Sequence, residues 1–349
     1  MLAQLNDYDQ HMVVRDIEQI CTHPNAKNSI KHSRNPLRRL WRTQYPFQNY
    51  HYLITYILQD NKINIEDILF DEQLYGRKVN TSAERTMLYE VERLTKATYD
   101  KAKKQTKIKK LAGAWSKEHI PTTQVNTEHA AVNGMNNDLD KATWLMGTHL
   151  DTAYKGDGIK AYTLFHNPSD KTTLDAIESA FDKCQSQTSH NAQHLAAVLA
   201  QNSQQGKKVK WVAHSQGAII FCSALEHYRI KYGKPLTGQQ LAIHGSGSNI
   251  DRLKIAAKNT GMTINNVRNN PYDVVPNVFG GNDLSGSSLA RSLSFMGKVF
   301  GSNAGLSPHT LPFLGLKTYA TQLQLLGNRN EATKVRNFIN TLPKGDSRL

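Results

Sequence analysis

The stretch "VKWVAHSQGAII", residues 209–220, decides how the rest of the chain is read. Val209 to Val212 favour a strand, and from Gly217 onward the apolar residues recur as they do on a buried helix. Strand therefore passes to helix at Ser215 with almost no loop. A serine on so tight a turn sits in a strained backbone conformation, and the residues two before and two after it must be small. Here they are Ala213 and Gly217. Two readings compete. Ser215 is either a nucleophile presented at a strand end, or an ordinary N-cap whose hydroxyl bonds the first turn of the helix.

Working outward, strands and helices alternate from about residue 125. "HAAVNG" reads as strand and turn, "DLDKATWLMGTHLDTAY" as helix and "KAYTLFHNP" as a strand ended by Asn167 and Pro168. "TTLDAIESAFDKC" and "SHNAQHLAAVLAQNSQQG" read as helices, "QLAIHG" as a strand, "NIDRLKIAAKNTG" as a helix and "MTINNVRN" as a strand. Such alternation predicts an α/β fold, a mostly parallel sheet with helices on both faces. Residues 279–307 break the rhythm with a Gly/Ser-rich run that reads as a long loop or lid.

The first third reads differently. Residues 1–122 are expected to be a mainly helical, basic N-terminal region, with the catalytic domain at 123–349. Thr81 or Ser82 with Glu84 suggests a capping box, followed by Met87, Leu88, Val91 and Leu94 at helical spacing. "YHYLITYIL" is too short to assign to helix or strand.

The net charge of +14 concentrates before residue 120, in "NPLRRLWRTQY" and "KAKKQTKIKK". It speaks to partners, namely nucleic acid, anionic lipid or an acidic protein, and not to fold. With 39% hydrophobic and 21% charged residues the chain is globular. No apolar run is long enough to span a bilayer and the N-terminus has no signal-peptide pattern, so the expected site of synthesis is the cytoplasm. Export would then use a signal-independent route. Cys21, Cys184 and Cys222 are far apart and argue for neither a disulfide framework nor a zinc site.

A nucleophilic serine needs a base, and the base needs an orienting acid. On a strand-turn-helix of the G-x-S-x-G kind they come in the order serine, acid, histidine. Asp273 in "NPYDVVP" lies just past a β-rich run, where α/β sites form. Its rivals are Asp283, in the Gly/Ser-rich segment, and Asp251, which reads as a helix-start residue. His309 in "SPHTLP" is the last histidine of the chain, and His244 would break the order. For the oxyanion hole, the backbone N–H of Gln216 is one donor. A second is sought at Gly134 or Met135, in the loop after an earlier strand.

Ser215 in "WVAHSQGA", Asp273 and His309 together resemble the α/β-hydrolase superfamily of serine esterases and lipases. More narrowly, "AVNGMNND", "LFHNPSDKTTLDAIESAFDK" and "VKWVAHSQGAIIFCSAL" look like lipase-like domains of bacterial secreted effectors and polymorphic toxins, type VI effectors among them. The resemblance spans roughly residues 125–325 and departs from consensus at Ala213. It implies acyl transfer to Ser215 and hydrolysis by water, with no metal or organic cofactor. The implied substrates are esters, phospholipids among them, at an anionic membrane surface, with an immunity or delivery protein as a further partner. A thioesterase, an acyltransferase or an inactive binding scaffold would share the same residues.

Three weaker signals are set aside. His190 and His194 are four apart on a helix, but Asn191 stands where a zinc protease has Glu, so they read as surface polar residues. "DTAYKGDGIK" lacks the closing Glu of a calcium loop. "LRRLWRTQYPFQNYHY" mixes arginine with aromatics, but no nucleic-acid motif accompanies it, so a nucleic-acid partner is not expected.

Overall fold

The computed structural model describes residues 2–31, 35, 37–42, 52–60, 62–70, 87–97, 99, 105–135, 137–167, 189–301 and 303–349. The expected capping box at 81–84, the helix in 168–188 and Cys184 lie outside them.

The described residues build two sheets. The smaller has four antiparallel strands in sequence order: β1 (Ser29–Lys31), β2 (Arg38–Arg42), β3 (Tyr52–Gln59) and β4 (Lys62–Phe70). The larger has seven: β5 (Met87–Glu92), β6 (Ile120–Thr122), β7 (His129–Val132), β8 (Ala161–His166), β9 (Lys210–His214), β10 (Gln240–His244) and β11 (Thr263–Arg268). Their order across the sheet is β11-β10-β9-β7-β8-β5-β6. From β11 to β8 all neighbours are parallel, while β5 and β6 close one edge antiparallel. The chain steps from β7 outward to β8 on one side, then returns to lay β9 on the other. That reversal opens a crevice at the carboxyl ends of β7 and β9, where an α/β sheet binds ligands.

Strand alternation divides the core. Trp211, Ala213, Leu241, Ile243, Ala130 and Val132 face one layer. Helices α4 (His190–Gln204), α5 (Gln216–Lys231) and α6 (Ile250–Thr260) cover that face. Val212, Ala242 and Ala131 face the other layer, under α3 (Leu139–Ala153). Trp115 wedges beside α3 so closely that a Cβ on Gly147 would fall 2.1 Å from its ring, so only glycine fits there.

The N-terminus is helical, α1 spanning Asp7–Thr22 with Asn6 as its cap, but strands dominate between there and residue 92. A short α2 (Gln105–Leu111) lies between β5 and β6. Residues 87–94 do not form the expected helix. Met87 to Glu92 are a strand whose Met87, Tyr89 and Val91 enter the α3-side core while Leu88 enters the other. Leu94, counted on the helical stripe, is exposed. In so short an apolar run both periodicities match, and pairing with β8 decides the outcome. The expected boundary at 122/123 also falls inside the large sheet, because β5 and β6 precede it. The smaller sheet packs with α1 into one core that takes in Ala197 of α4.

Residues 279–307 are helical in part rather than a bare loop. They carry α7 (Gly286–Leu293) and α8 (Met296–Val299). Two further helices come after them, α9 (Leu316–Leu325) and α10 (Arg329–Thr341), packed around Tyr272 and Phe295. No helix among the described residues is long and apolar enough to cross a membrane.

Candidate active site

Ser215 lies between β9 and α5 with φ 56° and ψ −126°. Only it and Asp60 among the described non-glycine residues have positive φ. Its side chain makes no cap hydrogen bond, which excludes the N-cap reading. What holds the strain is close packing around the turn. A Cβ on Gly217 would fall 2.4 Å from the Val132 carbonyl oxygen, and one on Gly134 would fall 2.5 Å from Ser215 Cβ. The loop after β7 and the turn after β9 thus touch only because both positions are glycine.

Asp273 lies beyond the end of β11 and is fully buried. His309 Nδ1 donates to its Oδ2 at 2.6 Å, and the other oxygen, Oδ1, accepts from Val275 N–H at 3.0 Å. His309 sits on a turn whose backbone N–H groups at 309 and 310 both donate to Ser307 Oγ. The two rivals are otherwise engaged: Asp283 bonds Ser285, and Asp251 lies in the first turn of α6.

The His309 ring lies over the ends of β9 and β10. It packs on the His214 ring at 4.6 Å between centroids, and a Cβ on Gly245 would fall 3.1 Å from its Nδ1. The Ser215 N–H donates to His244 O at 3.3 Å, which ties the serine to the same strand ends. The Ser215 hydroxyl is bonded to no described group, His309 included. Catalytic hydrogen bonds are often loose until substrate arrives.

Gln216 opens α5, where the first N–H groups of a helix have no partner within it. In the facing loop, the Gly134 carbonyl accepts from Asn133 Nδ2 at 2.9 Å and Asn137 Nδ2 at 3.3 Å. In a trans peptide the N–H points opposite to the C=O, so fixing that carbonyl also fixes the N–H of Met135. Asn133 is itself clamped, accepting from Asn167 N–H at 2.8 Å and donating to Asn167 O at 2.9 Å. Asn167 then donates to Gln216 Oε1 at 2.7 Å, joining the two halves of the site.

Three buried histidines support the His309 turn. His214 Nε2 donates to His309 O at 3.0 Å, and His149 Nε2 donates to Thr310 O at 3.1 Å. A carbonyl only accepts, so both rings carry their proton on Nε2. His149 Nδ1 meets His244 Nδ1 at 2.8 Å, and His244 Nε2 meets the Asn266 amide at 3.1 Å. Burial, followed by the neighbouring imidazoles, holds His149 and His214 well below the ordinary histidine range. Burial likewise pushes His244 down to about 3.

Of these residues the sequence pointed only to His244, as a rival base; His149, His214, Asn133 and Asn137 were not singled out. His214 stands inside the quoted turn, but nothing in sequence spacing marks a contact 95 residues away. His194 is corrected: it is buried, stacked on Tyr8 at 5.3 Å with Asp9 beside it, and joins α4 to α1.

Residues 108–263 match the model of a family described as alpha/beta hydrolase of unknown function (DUF900). No curated protein and no solved structure matches the chain. The matched stretch holds the central strands, Gly134 and Ser215, and ends before Asp273 and His309. The sheet order, the strained turn after β9 and this match agree on one conclusion: the chain has the alpha/beta-hydrolase fold.

Proposed function

We propose that the protein is a serine hydrolase of carboxylic esters. Ser215 is the nucleophile, His309 the general base, Asp273 the acid that orients it, and the N–H groups of Gln216 and Met135 the oxyanion donors. The observation that carries this reading is the 2.6 Å His309–Asp273 pair set over the strand ends that bear the strained Ser215. With Nδ1–H committed to Asp273, His309 Nε2 is the basic nitrogen. It takes the Ser215 proton as Oγ attacks the acyl carbon, then gives that proton to the departing alkoxide. Water repeats the sequence: His309 removes its proton as the water oxygen bonds the acyl carbon, the Ser215 Oγ–acyl bond breaks, and His309 returns the proton to Ser215 Oγ. Aligned N–H donors at the helix start stabilise the oxyanion formed in each half.

Lipid esters are the favoured substrate class. Leu284, Leu289, Leu293 and Phe300 are exposed on the segment between Asp273 and His309, an apolar face suited to a lipid surface. The positive net charge favours an anionic one. A thioesterase or acyltransferase would use the same residues and differ in leaving group or acceptor.

A fluorophosphonate probe tests the chemistry. Wild type should label, while Ser215→Ala and His309→Ala should not. A wild type that stays unlabelled, in solution and on phospholipid vesicles, rejects the proposal. Turnover of short soluble esters with no phospholipid hydrolysis rejects the lipid part alone.

A further inference from the structure

At the far end of α3 a cavity of about 750 Å³ opens between that helix, β5 and the end of β11. None of Ser215, Asp273 or His309 lines it. Its volume lies in the range that holds a small organic ligand. Among the described residues five cationic side chains line it, Arg93, Lys96, Lys155, Lys160 and Arg268, against one carboxylate, Asp151. They come from three separate parts of the chain. Lys155 alone is explained by the partial negative charge at the C-terminus of α3. Arg268, from the opposite wall, is not.

Two of these cations are held in place yet incompletely used. The Arg93 guanidinium lies 4.1 Å over the Trp115 ring, donates from Nε to Ile159 O and pairs through Nη2 with Asp151. Its Nη1 is buried without a partner, as is Asp151 Oδ2. Arg268 Nη1 donates to Phe313 O at 3.2 Å, while its Nε is buried and unpartnered. These two N–H groups are enclosed by protein, so what both guanidinium groups offer a ligand in the cavity is a fixed positive charge. Lys96, Lys155 and Lys160 are exposed at the rim and form no ion pair among the described residues. Apart from Thr152 and two glycines, the other described walls are apolar or aromatic. Ile159 and Leu314 line it, together with Tyr99 and Tyr154, whose hydroxyls are already bonded to Gln322 and to Trp211 O.

The geometry points to a second ligand site here, separate from Ser215, that takes a phosphomonoester with an apolar group attached. The described lining carries a surplus of four positive charges, five cations less one carboxylate, which suits a doubly charged phosphate better than a monocarboxylate. Guanidinium groups match phosphate oxygens. The tyrosine, isoleucine and leucine surfaces suit the organic part.

Phenyl phosphate is the probe, titrated calorimetrically at about 0.15 M ionic strength, where diffuse surface attraction is largely screened. One equivalent should bind saturably to wild type and equally to Ser215→Ala, which separates this site from the hydrolase reading. The double variant Lys96→Ala/Lys160→Ala removes only exposed rim lysines and should bind roughly tenfold more weakly or worse. The charge-matched Lys208→Ala/Lys234→Ala, on exposed lysines elsewhere, should bind as wild type does. Benzoate should bind more weakly than phenyl phosphate. Vesicles of phosphatidic acid form a second arm: wild-type vesicle binding that the rim variant loses along with phenyl phosphate identifies a lipid headgroup as the phosphomonoester, and phenyl phosphate binding with no vesicle binding identifies a free one. No saturable binding of either probe, equal loss in both double variants, or benzoate binding as tightly as phenyl phosphate overturns the proposal.

Discussion

At the scale of single residues, the site depends on what is missing as much as on what reacts. Gly134 has no Cβ because one would press on Ser215, its nearest Oγ contact being 3.0 Å. Gly134→Ala is expected to fold, since the loop after β7 can shift, and to lose most fluorophosphonate labelling. Comparing labelling with circular dichroism checks both halves. Gly217 is less forgiving, because its imagined Cβ meets backbone: Val132 O at 2.4 Å and Asn133 O at 3.0 Å. His214 acts through another residue. Its Nε2–H holds the His309 carbonyl, so His214→Ala should leave KM for a soluble ester near its wild-type value. It should lower kcat by about 10- to 100-fold through misplacement of the base. Restoring an N–H donor with His214→Gln should recover part of kcat. Equal kcat in wild type and His214→Ala would remove the positioning role.

At the scale of elements, the parallel strands were readable because each has apolar residues, a turn signal and a helix after it. β7, β8, β9, β10 and β11 all fall where the alternation put them. Ser215, Asp273 and His309 could be picked out because strand-end position and chain order restrict the choice, and the structure pairs Asp273 with His309. What escaped was information held in pairing. Met87–Glu92 offers both periods, and only its antiparallel partner β8 selects the strand. The four-stranded N-terminal sheet escaped for the same reason, since its polar-rich β2 and β4 are strands by virtue of their neighbours. The His149–His244 contact joins a helix to a strand 95 residues apart, with no local signature. At this scale β9 is the element on which both core layers depend. Trp211 is fully buried, with its Nε1 donating to Gln239 Oε1 at 3.0 Å. Trp211→Ala should cost about 3–5 kcal/mol in urea unfolding. A loss under about 1 kcal/mol would contradict the packing described.

At the scale of the whole molecule, stability should fall early on acidification. His149, His214 and His244 bind protons less readily when folded than an unfolded histidine does at about 6.5. Their stabilising effect is complete above that pH and is lost as pH falls through it toward the folded values. Each group contributes a slope of up to about 1.4 kcal/mol per pH unit. Asp16, raised to about 6 by burial, works in the opposite direction between roughly 6 and 4, and Asp151, also raised by burial, works with it. Burial lowers His119 and His227 as well, so among the described residues the lowered histidines outnumber the raised carboxylates. The urea midpoint should therefore drop between pH 7 and pH 5, before ordinary carboxylates titrate. A flat profile over that interval would mean the three rings are not buried as neutral groups. The antiparallel border made by β5 and β6 carries a last consequence, for how the molecule tolerates shortening. A chain trimmed to begin at residue 123 would keep every residue assigned to catalysis. It would also leave the long inner strand Ala161–His166 with an open row of amides and carbonyls, the kind of edge that recruits strands from other molecules. Such a fragment should run as aggregates in size-exclusion chromatography, and one beginning just before residue 87 should not. On that outcome the strands β5 and β6 would serve to keep the large sheet from polymerising.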